Sequence, residues 1–184
     1  MLSVSDATTG VCLYQRRWRW QDAKEPDGIG KLVMSFYQFA RDLDDGEISC
    51  VNFEVSGQKH KRVASAHQSA RRGRNVSKTS PPESVQMLSC ANPAIIVAVF
   101  HEIKAITTTS CDNTASIRRF ASGCRDSFSQ LYGDKLAGEL RPTLRRLADE
   151  ATEGDLVALQ RHFWTFEERV EELREVCFPG KWHA

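Results

Sequence analysis

Apolar residues recur at steps of three and four through Ile29, Leu32, Val33, Phe36, Ala40 and Leu43. That spacing stacks side chains on one face of a helix. No Pro or Gly interrupts residues 31–45, so the pattern predicts an amphipathic helix beginning near Gly28. At Asp44-Asp45-Gly46 the period changes. Gly46 can take the left-handed geometry that ends a helix, and Ile48, Cys50, Phe53 and Val55 then mix alternation with continuity, as in a largely buried strand. The rest of the chain is organised around this helix-then-strand unit.

Upstream, residues 1–4 form a short strand and Ser5-Asp6-Ala7-Thr8-Thr9-Gly10 the turn that reverses it, through local hydrogen bonding by Asp and Thr. Residues 11–17 have strand composition, and Trp18 and Trp20 extend it in alternation with Arg17 and Arg19. Downstream, residues 85–90 form a strand, Ala91-Asn92-Pro93 a tight turn, and residues 94–100 are apolar on both faces, as in a central strand. The short connection makes that pair an antiparallel hairpin. Asp112, Asn113 or Thr114 can cap a helix over residues 115–136 with the stripe Ile117, Phe120, Ala121, Cys124, Phe128, Leu131 and Tyr132. Gly138 and Pro142 break it, Leu144, Leu147 and Ala148 mark a short further helix, and Gly154-Asp155 starts the last one. Its seam runs through Leu156, Leu159, Phe163, Phe166, Val170, Leu173 and Cys177 in steps summing to seven, suited to docking on its own domain or on another chain's helix.

The order strand, strand, helix, strand, strand, strand, helices predicts an α+β fold: a five-stranded mixed, mostly antiparallel sheet covered by helices. Residues 1–137 form the α+β domain, with residues 56–82 as a basic mobile insertion. Residues 138–184 form a helical C-terminal extension packing on it. The length of 184 residues suits about one core.

Composition is 41% apolar and 27% charged with a net charge of +1, which makes no global case for nucleic acid or membrane. The longest apolar run, residues 94–100, falls far short of the ~20 residues that cross a bilayer. Residues 1–10 carry Asp6 and lack the basic start and apolar centre of a signal peptide, so a cytoplasmic location is expected. The six cysteines are scattered without a C-x-x-C pair and read as reduced, buried thiols.

Local charge is uneven. Lys59, Lys61, Arg62, Arg71, Arg72, Arg74 and Lys78 lie in a stretch, residues 56–82, that contains no Asp or Glu. Such a run repels itself and buries little. It could attract anionic lipid headgroups, peripherally on endomembranes, or an acidic partner. It could instead bind nucleic acid in a nuclear adaptor, although no interleaved aromatic residue offers base stacking. Arg17, Trp18, Arg19 and Trp20 form the other polar candidate: core residues by default, or partner anchors if their strand lies at the sheet edge.

The opening Ser5-Asp6-Ala7-Thr8-Thr9-Gly10-Val11-Cys12-Leu13-Tyr14, followed by Trp18, resembles the "aspartate, turn, glycine, short apolar strand, tryptophan" start of sybindin-like chains. Phe36, Tyr37 and Phe39 fit the first helix of the same longin-like superfamily, which includes subunits of TRAPP tethering complexes and small chains of clathrin adaptors. The resemblance covers residues 1–136. It implies a non-catalytic interaction module in vesicle trafficking, contacting other subunits or a small GTPase. Residues 56–82 are longer and more basic than the family's usual connection, residues 141–184 have no counterpart, and the heptads and membrane anchor of a vesicle SNARE are absent.

No reaction centre is visible. His101-Glu102 follows the central strand, and Cys111 could be imagined as a nucleophile with His101 as its base, but spacing places no such pair together. His162 reads as a surface or packing residue. No paired Cys or His suits zinc, the phosphate-binding glycine loops are missing, and Asp44-Asp45 reads as a helix-end turn, so no cofactor is expected.

Overall fold

The computed structural model describes residues 1–18, 29–43, 46–54, 84–102, 110–150 and 152–179. They form strands β1 (Leu2–Asp6), β2 (Cys12–Arg16), β3 (Cys50–Glu54), β4 (Ser84–Ala91) and β5 (Ile95–Glu102). The helices are α1 (Ile29–Asp42), α2 (Ser110–Ala137), α3 (Arg141–Glu150), α4 (Glu153–Gln160) and α5 (Phe166–Cys177).

The sheet order is β2-β1-β5-β4-β3, which puts the largely apolar β5 in the centre. Every neighbouring pair is antiparallel, with registers such as Val4↔Val97, Leu88↔Val99 and Val51↔Met87. The expected mixed sheet is therefore corrected to a purely antiparallel one. α1 joins β2 at one edge to β3 at the other, so its crossover creates no parallel neighbours.

Because successive strand residues point to opposite faces, β4 and β5 feed two cores. On one face Leu2, Val4, Leu88, Val97 and Val99 meet Ile117, Phe120, Cys124 and Phe128 of α2. On the other, Met87, Ile96, Ala98 and Phe100 meet Val33 of α1, with Phe36, Tyr37 and Phe53 packed around them. Each large apolar side chain fully buried this way contributes roughly 1.5–3 kcal/mol. Asn92 shapes the β4–β5 turn by accepting the amides of Ala94 and Ile95, both at 2.9 Å.

The helical tail shares the first core. Leu144, Leu147, Leu159, Phe163, Phe166 and Val170 lie in one cluster with Leu2, Val4 and Leu13, so the seam of the last helices is used within the chain. At its centre Phe128 meets Phe166 edge-on at 4.9 Å, and Tyr132 meets Phe163 edge-on at 5.0 Å. Tyr132 and Thr165 hydroxyls bond at 2.6 Å.

Four local expectations need correction. α2 starts at Ser110, so Asp112, Asn113 and Thr114 lie inside the helix and are not its cap. The final seam is two helices separated by a 3-10 turn at Arg161–Phe163, where i to i+3 bonding tightens the chain. Gly46 does not adopt a left-handed conformation. Its amide donates to the Ala40 carbonyl at 3.1 Å and closes α1 that way, while Gly10, at φ 71°, is the left-handed glycine among the described residues. Leu32 and Leu43, expected in the buried stripe of α1, are 40% and 63% exposed. Among the described side chains of α1, Val33 and Ala40 are the buried positions, so its inner face is rotated toward residues one step further along.

Candidate interaction surface

The outer flank of α1 carries exposed apolar side chains on this side of the sheet. Phe39 is 59% exposed, and with Leu32 and Leu43 it forms a line at steps of seven and four, with half-buried Phe36 between them. Phe36 meets Phe53 of β3 at 6.2 Å, and Phe53 meets Phe100 at 6.4 Å, so the line is anchored through β3 to the core. β3 is itself a sheet edge. An edge strand offers backbone groups along its outer side, and protruding apolar residues beside such an edge make a candidate binding surface.

Two further features flank α1. An open cleft of about 490 Å³ lies where its second half meets the two hairpin turns, lined by Thr8, Met34, Tyr37, Gln38, Arg41 and Glu47 among others. On the opposite side of the sheet His101, Gln86 and Asn52 form a polar ladder across three strands. His101 Nε2 lies 3.0 Å from Gln86 Oε1, and Gln86 Nε2 donates to Asn52 Oδ1 at 2.7 Å. Burial holds the His101 pKa below the usual histidine value, and its Nδ1 faces the Glu102 carbonyl at 3.2 Å.

The tryptophan anchor from the sequence is used within the chain. β2 is a sheet edge, yet Trp18 packs edge-on against Phe120 at 6.0 Å, donates its indole N–H to Glu171 at 2.9 Å and lies under Arg174 at 5.9 Å. Beside it Arg16 pairs with Glu167 at 2.7 Å, and Glu171 pairs with Arg174 at 2.9 Å. The cluster clamps α5 to the edge of β2. Arg17 is half-buried at the strand end. Arg19 and Trp20 lie outside the described residues, as do Lys59, Lys61, Arg62, Arg71, Arg72, Arg74 and Lys78.

Asp6 is the other polar centre that the sequence showed only as a turn former. Fully buried, it accepts from the Thr8 amide at 3.2 Å, the Thr9 amide at 2.8 Å and the Thr9 hydroxyl at 2.7 Å, and pairs with Arg141 at 3.0 Å. Three acceptor contacts and a guanidinium satisfy the carboxylate, which is what permits its burial. Arg141 gave no sequence signal, because its partner is fixed only by the docking of α3.

Three of the described thiols are disfavoured as nucleophiles by burial. Burial pushes the Cys90 thiol up to about 11 and the Cys124 and Cys177 thiols upward too, away from the thiolate that attack requires. The side chain of Cys111 lies outside the described residues, so its pairing with His101 has no geometry to weigh. His162 is exposed in the 3-10 turn. Among the described residues no group of three or more His, Cys, Asp or Glu is arranged to hold a metal ion, and no helix is long and apolar enough to cross a membrane.

The exposed line on α1 is the feature that sequence periodicity missed. A signal for it was present. Leu32, Val33, Phe36, Tyr37, Phe39, Ala40 and Leu43 spread over more of the helix than one sheet face can cover. No family model, no curated protein and no solved structure matches this chain.

Proposed function

We propose that this chain is a non-catalytic protein–protein interaction module of longin-like type in intracellular vesicle trafficking, a subunit of a tethering, adaptor or GTPase-regulating complex. The observation that carries the reading is the outer flank of α1, where Leu32, Phe39 and Leu43 stand exposed beside β3, an edge strand among the described residues. Such a ridge costs solubility in a free chain and gains by being covered.

Supporting it are the element order, with two strands, a crossover helix, three strands and then helices, and the Asp6 turn that opens the chain. Both are features that the resemblance to sybindin-like chains implies. The basic stretch from Lys59 to Lys78 would add attraction to anionic membrane in the same setting.

The test is co-purification of the tagged full chain from cells under mild lysis, with partners identified and compared between wild type and Phe39→Asp. The expected result is a stoichiometric set of trafficking subunits or a small GTPase that Phe39→Asp loses while keeping its melting temperature. A chain that retains no protein partner and turns over a small-molecule substrate would overturn the reading.

A further inference from the structure

We propose that the exposed stripe of α1 binds a second copy of this chain, as an antiparallel helix pair related by a two-fold axis. The inference rests on α1 being a binding face, as proposed above, and names its occupant.

The spacing carries the first half of the argument. Leu32, Phe36, Phe39 and Leu43 follow one another at steps of four, three and four, which reads the same from either end. Two-fold symmetry requires a self-complementary patch, in which residue i meets j and j meets i. In the antiparallel pair Leu32 meets the partner's Leu43 and Phe36 meets the partner's Phe39. Alternating steps of three and four are also those of helix pairs packed at a shallow angle.

Charge carries the second half and selects the antiparallel orientation. Lys31 and Asp42 are both exposed and eleven residues apart, which at 100° per residue places them about 20° from each other on one flank of the stripe. The two-fold axis brings that flank of one copy against the same flank of the other. Each Lys31 then lies beside the partner's Asp42, giving two ion pairs, whereas in a parallel pair the two-fold axis runs along the helices and puts the two charged flanks on opposite sides of the seam, where no such pair forms. Between them on this flank sits Ser35, small enough for close approach. Its hydroxyl donates to the Lys31 carbonyl of its own helix at 2.8 Å, so covering it strands no donor.

The experiment is sedimentation equilibrium on the full chain from micromolar to near-millimolar concentration. The expected result is a reversible dimer. Lys31→Glu alone and Asp42→Lys alone should each weaken it about tenfold, and the double reversal should restore it to within about threefold. Phe39→Glu should abolish it, with an unchanged melting temperature showing that the fold survives. A monomer across the range, a dimer indifferent to Phe39→Glu, or a double reversal that fails to restore association would each overturn the second copy as occupant. In the case of a monomer, loss of a different subunit on Phe39→Asp would still leave α1 as a binding face. A monomer whose partners ignore Phe39→Asp would remove both claims.

Discussion

Asp6 and Arg141, 135 residues apart in the chain, are joined inside the fold. The guanidinium Nη1 lies 3.0 Å from one carboxylate oxygen and 3.3 Å from the other. The first turn of the sheet is thereby bonded to the first residue of α3. Removing one partner of such a pair leaves a buried charge unmatched, which costs far more than the pair contributes as a pair. Asp6→Ala should destabilise the chain by about 3–5 kcal/mol, since it also strands the Thr9 amide and hydroxyl. Arg141→Met leaves the fully buried Asp6 carboxylate held by hydrogen bonds alone and should cost a comparable amount, about 3–5 kcal/mol. Urea unfolding of the two variants checks both sizes.

The Trp18 clamp predicts a local effect. Trp18→Phe keeps an aromatic ring against Phe120 but loses the bond to Glu171, and should cost about 1 kcal/mol. Trp18→Ala also removes the packing and should cost about 2–4 kcal/mol. Limited proteolysis should cut α5 of Trp18→Ala before the sheet is touched, because its anchor to β2 is gone.

Gly10 gives a backbone prediction. At φ 71° any side chain is strained, and a Cβ there would stand 3.0 Å from Met34 Cγ. Gly10→Ala should cost about 1–2 kcal/mol in thermal unfolding, and Met34→Ala in the same chain should return little of it, since Met34 Cβ itself stands 3.1 Å from the added Cβ.

His101 sets a pH dependence. Burial lowers its pKa in the fold, so between the folded value and the unfolded value near 6.5 the unfolded chain binds more protons. Its contribution to stability is complete above pH 6.5 and is lost as pH falls through the folded pKa. Unfolding free energies measured by urea across pH 5–8 should fall on the acid side, and His101→Gln should flatten that part of the profile.

The sequence was most legible where one period served one neighbour. The central apolar strand β5, the hairpin to β4 and the buried stripe of α2 from Ile117 to Tyr132 all follow from spacing, apart from Leu131, which is 52% exposed. Strand direction was less legible. A crossover helix suggested some parallel pairing, but only the sheet order reveals that α1 spans from edge to edge. The exposed stripe of α1 was hidden for a related reason. Periodicity reports that Leu32 and Leu43 are apolar, and burial depends on which part of a wide stripe the sheet covers, here Val33 and Ala40. Long-range pairs such as Asp6 with Arg141 and Trp18 with Glu171 had no local trace, since neither partner fixes the other's position along the chain.

The account stands or falls on α1 and β3 being the surface through which this chain works. Hydrogen–deuterium exchange on the free chain and on the same chain in its purified assembly tests that directly. Residues 29–43 and 50–54 should exchange more slowly in the assembly, with little change in α5. Unaltered exchange in those two segments, with new protection elsewhere, would contradict it.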